Sequence, residues 1–517
     1  MSKFHSTVSR REFMKGLGLA GAGLGGAAAV APVFHDLDEL MSSADVQQKR
    51  AWWIKEVDEP TVDIDWNLMA RHHGFHSTQS GIILARYTGG GAEYAAIKAK
   101  SKAANTAGLK ANTPGLNLRD QALSAAGRGV RISGRNDSID GVNRDSVKTP
   151  EELGVPRWEG TPEENFKILR AAMVFYGASN IGTGELTEHH KKLVGLYGDN
   201  INESYLPPKW PPPTTVTAPV NFASQPTFSF DAATRTTTIP DSIPIYTCSY
   251  TIPQSNEMWR TSPESFIMAA ANSARYRLRE NVRACTQAFI KALGYTSLHD
   301  EPYRAVPSIA GATLSGLTEN SRHTIMGISP EHGSTVGLYE LMTTLPLPHT
   351  KPIDAGIWRF CQSCGVCAEH CPSDSIVKKG DAEPSYTPPP SAITPKLPPF
   401  PGLGFDPMGA GEAEYFKLGR KTYWTDMVSC RLYNDSIANR CTLCFGVCTF
   451  NAENRAMVHE IIRSTTATTS LFNGFFASMH AAFGLGLKEL DEKEQWWDME
   501  LPAYGYSTVR TSSTGGL

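Results

Sequence analysis

Eight of the ten cysteines lie between residues 361 and 448, and their spacing constrains the fold more than any other feature of the chain. Cys361, Cys364, Cys367 and Cys371, followed by Pro372, spell C-x2-C-x2-C-x3-C-P. Three thiolates at every third position reach three corners of one cubane, and the fourth reaches out to a second, as in bacterial two-cluster ferredoxins. A zinc site uses separated pairs of ligands around a tetrahedron instead. The second run, Cys441-x2-Cys444-x3-Cys448, lacks its first member, because that position is Ala438. Cys430 is the free candidate to replace it. The spacing therefore predicts one 4Fe-4S cluster on Cys361, Cys364, Cys367 and Cys448, and another on Cys371, Cys430, Cys441 and Cys444, the latter in a longer and looser loop. Two clusters close together form an electron path but do not name the reaction at its end. Cys248 and Cys285 stand apart and read as buried small hydrophobes.

At 517 residues, 41% of them apolar, the chain is long enough for two or three packed units. Its 49 basic and 52 acidic residues leave a net charge of -3, which gives no electrostatic footprint for nucleic acid or for an anionic membrane surface. Ser9-Arg10-Arg11-Glu12-Phe13-Met14-Lys15 and the weakly apolar run from Gly16 to Phe34 match a twin-arginine export signal. Six glycines between Gly16 and Gly26 make this run a poor membrane span. Pro32 sits badly after Ala29-Val30-Ala31, so Ser42-Ser43-Ala44 is the better cleavage site and residues 1–44 form the signal. Gly16, Gly18 and Gly21 imitate a dinucleotide-binding fingerprint, but charged residues occupy the place of the strand that must precede it. Export by this route suits a protein that folds around a cofactor before translocation.

Along the mature chain, residues 45–150 form an N-terminal region, with Gly89 to Gly91 as a loop and no function assigned to 85–150. Thr161-Pro162-Glu163-Glu164 predicts a capped helix running to about Tyr176. Residues 206–219 are a proline-rich connector, Thr236 to Ile252 read as strands, and a long helix is expected from about Ser265 to Leu293, ended by Gly294. On that helix Leu278, Val282, Cys285 and Phe289 make an apolar stripe, while Tyr276 shares the other face with Arg279, Glu280 and Arg283. A nearby arginine would lower the phenol's pKa; a surface tyrosine on a charged face is the plainer alternative. Residues 388–401 are a second proline-rich excursion between the cysteine runs. His72-His73 and His189-His190 read as solvated surface pairs.

Beyond the cysteines and the export signal, several stretches line up in order: Pro156-Arg-Trp-Glu-Gly-Thr-Pro-Glu-Glu-Asn165, Phe289-Ile-Lys-Ala-Leu-Gly-Tyr295, Ser315-Gly-Leu with Ser321-Arg322, Lys351-Pro-Ile-Asp-Ala-Gly356, Phe472-Asn-Gly-Phe-Phe476 and Trp496-Trp497. In these the chain resembles the corrinoid and iron–sulfur reductive dehalogenases of organohalide-respiring bacteria, nearest to those acting on chlorinated ethenes, everywhere except about residues 70–150. The resemblance implies an α+β fold, with a nitroreductase-like corrinoid-binding core over 151–345, a ferredoxin-like two-cluster 4Fe-4S domain over 346–465, and a tail, 466–517, packed on the core. It implies cobalamin bound base-off, which agrees with the lack of a D-x-H-x-x-G motif. It places the proton donor at Tyr276, with Arg322 as substitute partner because Ser334-Thr335-Val336 follows Ser329-Pro-Glu-His-Gly333 where relatives often carry arginine. Corrinoid contacts are implied at Gly316, Ser321, Arg322, Pro330 and Gly333. Thr449 stands where proline usually follows the last cysteine, which alters the loop exit more than the ligation. The implied reaction replaces a carbon-bound halogen, usually chlorine, by hydrogen in a small organohalide. Implied too are a small membrane-anchor subunit, a respiratory electron donor, and a place on the outer face of the cytoplasmic membrane. The rivals are a ferredoxin-like electron carrier and a queuosine-precursor reductase, opposed respectively by some three hundred residues ahead of the clusters and by the export signal.

Overall fold

The computed structural model describes residues 50–71, 84–85, 87–129, 139–141, 147–196, 219–234, 236–299, 308–387, 417–451 and 457–498. The expected signal, His72-His73, nearly all of the first proline-rich connector and the whole of the second lie outside these. From Arg50 onward the described residues pack as one compact unit. Strand β1 (Lys55–Glu56) pairs antiparallel with β9 (Ile353–Asp354), tying the start of the described chain to the approach to the first cysteines.

Among the described residues the stretch from 85 to 150, where only Gly89 to Gly91 was read as a loop, holds two helices. In α1 (Gly91–Lys110), alanine and lysine supply the helix propensity, and Gly89 and Gly90, with φ of 100° and 155°, mark its start. Helix α2 (Leu118–Gly129) follows and packs along the long central helix. Helix α3 (Pro162–Tyr176) begins as the sequence predicts: Thr161 Oγ1 accepts from Glu164 N, Glu164 Oε2 accepts from Thr161 N, and Gly177 ends it in the left-handed region.

The core sheet is antiparallel throughout, in the order β2 (Asn180–Glu185), β6 (Tyr246–Pro253), β8 (Val336–Thr343), β7 (Ser297–His299). Strand β8 is buried along its whole length, as a central strand covered on both faces must be. The strands expected between Thr236 and Ile252 are two, β5 (Thr236–Pro240) and β6. Strand β5 belongs to a small second sheet with β3 (Val220–Ala223) and β4 (Ser229–Asp231).

Helix α4 (Phe266–Ala292) has the predicted limits, with Ser265 Oγ accepting from Ile267 N at 3.1 Å and Gly294 at a φ of 92° just beyond its end. Its buried face differs from the expectation. Of the apolar stripe only Val282 is buried, and Leu278, Cys285 and Phe289 are half-exposed; Arg279, Glu280 and Arg283 are buried instead. These charges can be interior because they satisfy one another. Glu280 bridges Arg279 and Arg283, the second at 2.7 Å, and Arg283 Nη1 donates to His299 Nε2 at 3.1 Å. Among the described residues no helix is long and apolar enough to cross a membrane.

Candidate active site

The cysteine-bearing elements are held by two charged side chains from one turn. Helices α6 (Ile357–Cys364) and α7 (Val366–Glu369) meet at Gly365, whose φ of 80° lets the chain turn between Cys364 and Cys367. The buried Glu319 carboxylate accepts from Ala355 N at 2.7 Å and Ile357 N at 3.1 Å, occupying the positive end of α6, and from Thr61 Oγ1 at 2.7 Å. Burial still pushes this carboxyl above its usual range. Three residues on, Arg322 is 2% exposed and spends its guanidinium on the same loop. Its Nε donates to Cys361 O at 2.9 Å, Nη1 to Val377 O at 2.9 Å, and Nη2 to Gln362 O at 2.8 Å and Tyr423 Oη at 3.1 Å, over whose ring it also stacks.

The eight cysteines sort into two quartets. Cys361, Cys364, Cys367 and Cys448 line one small cavity together with His323. Cys371, Cys430, Cys441 and Cys444 share a second, much larger cavity of about 680 Å³. Cys430 reaches it from α8 (Met427–Ser436), while Ala438 lies buried after that helix ends. All ten cysteines are free thiols. Cys248 is buried as expected, but Cys285 is only half-buried. Among the described residues no group of three or more His, Cys, Asp or Glu converges tightly enough for a single metal ion. Burial pushes the thiols of Cys361, Cys364, Cys367 and Cys444 up, and likewise Cys430 to about 12 and both Cys441 and Cys448 to about 11. Such thiols stay neutral unless a cation enters the site, and a bound metal centre takes the proton off each. Polar groups already face the sulfurs: Ser375 N donates to Cys371 Sγ at 3.3 Å, and the Thr449 hydroxyl lies 3.7 Å from Cys364 Sγ.

Tyr276 lines the large cavity alongside the second quartet. Its hydroxyl accepts from Arg275 Nη2 at 3.0 Å, and both the Arg275 and Arg279 guanidiniums lie against its ring, 4.6 and 5.1 Å from the centroid. Burial works against the Arg275 charge, yet the Tyr276 and Tyr339 phenols outweigh it and the guanidinium is held above its usual value. Burial and the two arginines Arg283 and Arg279 hold His299 well below the usual imidazole range, so it accepts from Arg283 as a neutral ring. The partner of Tyr276 is thus Arg275, and Arg322 is committed to the other quartet. Adjacent residues on a helix do not normally face each other, which is why helical periodicity passed over Arg275.

The remaining predicted contacts lie elsewhere. Gly316, Ser321, Pro330 and Gly333 are not on the wall of the large cavity. A Cβ on Gly316 would meet Lys351 O at 2.1 Å, and one on Gly333 would meet the Asn451 backbone at 2.6 Å, so both glycines serve close backbone packing. Ser321 Oγ donates to Met326 O, and Pro330 O accepts from Arg463. The wall is built in part from α1 and α2, through Lys98, Asn105, Gln121 and Ser124, which the sequence reading left without a role. His189 is exposed and stacks on Trp66, but His190 is half-buried, with Nδ1 2.6 Å from Glu185 O.

A phenol against two guanidiniums thus shares one cavity with four thiols while the other four line a second, an arrangement that suits redox chemistry. The chain belongs to the reductive dehalogenase family, whose members are oxidoreductases: the family described as "reductive dehalogenase subunit" matches residues 49–347. It is 32% identical to the chloroethene reductive dehalogenase of Dehalococcoides mccartyi strain VS, over 98% of this chain and 99% of that one. It is 30% identical, over the same shares, to the trichloroethene reductive dehalogenase of another strain of that species. These matches run through residues 70–150, which motif comparison had set aside. Among solved structures, the catabolic reductive dehalogenase NpRdhA, in complex with 3-bromo-4-hydroxybenzoic acid, superposes with a TM-score of 0.56 at 16% identity, covering 89% of this chain and 53% of that one. A reductive dehalogenase structure that suggests a mechanism for B12-dependent dehalogenation gives the same score at 15% identity, covering 94% and 56%. This chain spans about half the length of those two, and the likeness is one of fold, mixed helices and sheets.

Proposed function

We propose that the chain replaces a carbon-bound chlorine by hydrogen in a small chlorinated hydrocarbon (an ethene, ethane or propane), using a corrinoid and two 4Fe-4S clusters. The observation that carries this is the single cavity of about 680 Å³ walled by both Tyr276 and the quartet Cys371, Cys430, Cys441 and Cys444. Electrons delivered to thiolate-bound clusters would therefore arrive beside a proton donor. The balance is one carbon–chlorine bond broken, one carbon–hydrogen bond formed, two electrons and one proton consumed, and chloride released.

The wall suits a ligand richer in polar groups than a hydrocarbon. Asn105 Oδ1 and Trp259 Nε1 are buried on it without a hydrogen-bond partner among the described residues, an acceptor and a donor that a bound group would complete. Asn105, Gln121, Ser124 and Asn272 match the amide arms that fringe a corrin ring, and these residues would hold it. A corrinoid bound there would supply a low-valent cobalt able to cleave a carbon–halogen bond. Tyr276 holds the proton at its hydroxyl oxygen, and Arg275 and Arg279 stabilise the phenolate left after transfer.

In this reading the antiparallel sheet with α3 and α4 forms the nitroreductase-like core, and the segments carrying the cysteines form the ferredoxin-like domain. Export through the twin-arginine signal would leave the protein peripheral on the outer face of the cytoplasmic membrane, joined to a small membrane-anchor subunit and a respiratory electron donor. Anaerobic reconstitution with iron, sulfide and cobalamin, followed by metal analysis and headspace assay of chlorinated ethenes, ethanes and propanes with chloride release, tests the proposal. Iron without cobalt, and no chloride released, would leave the electron-carrier reading in its place.

A further inference from the structure

Ser321-Arg322-His323-Thr324-Ile325 forms a tight turn in which Thr324 has a φ of 53° and Thr324 N donates to Ser321 O at 3.3 Å. The turn directs the amide of Ile325 at His323 Nδ1, 3.3 Å away, and places Ser321 Oγ, which donates to Met326 O, at the same distance. An amide N–H can only donate, so Nδ1 presents its lone pair and the ring proton sits on Nε2. His323 is 1% exposed, and Nε2 is a buried nitrogen with no hydrogen-bond partner among the described residues. An N–H left unpaired in so dry a place is costly, so the fold should offer it an acceptor.

The surroundings leave few choices. One side of the ring packs on Phe445, 5.2 Å between centroids, and Arg322 next to it is a donor only. The ring lines the cavity of Cys361, Cys364, Cys367 and Cys448, whose other walls are largely apolar: Ile328, Phe360, Val366 and Phe450. The Thr449 hydroxyl there already lies 3.7 Å from Cys364 Sγ, and the acceptors the quartet itself presents are its sulfurs. We infer that His323 Nε2–H donates a hydrogen bond to a sulfur of the iron–sulfur cluster held by Cys361, Cys364, Cys367 and Cys448, and thereby raises that cluster's reduction potential. The inference rests on reading this quartet as a cluster site. A donor to sulfur favours the reduced cluster, which carries one more negative charge, over the oxidised one.

The test is a redox titration of the reconstituted holoenzyme followed by electron paramagnetic resonance. His323→Leu removes the donor at similar volume, and His323→Gln keeps an amide donor. Loss of the bond should lower the equilibrium constant for reduction of one cluster by about tenfold, equivalent to ~59 mV for one electron. The second cluster should keep its potential in both variants, and the Gln variant should stay near wild type. In wild type carrying isotope-labelled histidine, the reduced cluster should show hyperfine coupling to a histidine nitrogen, a measurement that needs no variant to fold. Unchanged potentials in a fully loaded His323→Leu protein, an equal shift of both clusters, or labelled wild type without histidine coupling would each overturn the inference. A wild-type chain that binds iron at only the other quartet, or not at all, would overturn the cluster reading as well, so the two failures are distinct.

Discussion

Removing the Arg322 guanidinium should release the first cysteine loop rather than disable the phenol. In Arg322→Met four donated hydrogen bonds disappear, and the carbonyls of Cys361, Gln362 and Val377 are left facing a non-donor. An orphaned buried acceptor costs about 1–3 kcal/mol, and contact with the Tyr423 ring adds about 1 kcal/mol. Relief from burying a cation offsets part of this, so a net loss of roughly 3–5 kcal/mol is reasonable, comparable to breaking a buried ion pair. A fold stable by about 5–15 kcal/mol survives that on average, but the loop that carries three cysteines of one quartet should not stay ordered. Arg322→Lys should fare little better, because one ammonium cannot span carbonyls that a planar fork reaches together. The assay is iron content and chelator-driven iron release from reconstituted protein. Iron should fall from about eight atoms per chain toward about four as one cubane is lost. If either variant keeps all its iron and its melting temperature yet loses turnover, Arg322 acts on chemistry and the bracing role is wrong.

Tyr276→Phe should keep iron and corrinoid while turnover drops by about 10² to 10⁴, the usual share of a general acid; a loss of only two- or threefold would assign the proton to another source. Cys430→Ser should damage the cluster of the large cavity selectively, since Ala438 cannot ligate and the other cysteines there are already counted; unchanged iron and redox spectra would contradict the quartet. Burial, with Arg71 and Arg420 nearby, holds Lys417 down to about 7 from an ordinary 10.5. Between those values the unfolded chain binds more protons than the folded one, so this group makes stability rise with pH from about 7 upward. The melting temperature of wild type relative to Lys417→Met should therefore increase between about pH 6 and pH 9, and a pH-independent difference would refute the assignment.

Features that depend on neighbours in sequence were legible without coordinates. The capping box at Thr161, the limits of α4 and the cysteine spacing are local signals, and each appears where the residues put it. Features that depend on tertiary partners were not. Helix α1 and α2 carry no motif, yet they wall the large cavity, because a cavity wall needs only the right group at the right place in space. Ser321-Arg322 stood out as a matching stretch, but its role could not be read from spacing: its donors go to carbonyls about 40 to 55 residues away in sequence. The one misjudged face, the second half of α4, failed for a physical reason. Periodicity assumes that apolar residues go inward, and the rule inverts where charges find partners inside.

That inversion bears on the chemistry. Burying Arg279, Glu280 and Arg283 carries a desolvation cost that well-packed apolar residues of the same volume would avoid. Glu280 is 1% exposed and fixes both arginines on one edge of the helix, which leaves the Arg279 guanidinium against the Tyr276 ring and also 5.4 Å from the Tyr339 ring. Tyr339 in turn pairs across the sheet with Tyr250, so the phenol region is anchored to the most buried strands of the core. An arginine tethered in this way cannot swing out to solvent when a proton leaves the phenol. With Tyr276 as the proposed proton donor, that charge would be in place before the phenolate forms, and the reorganisation that water would need to stabilise the same anion would be avoided. The ion ladder is therefore better understood as preorganisation of one face of the cavity than as a contribution to stability.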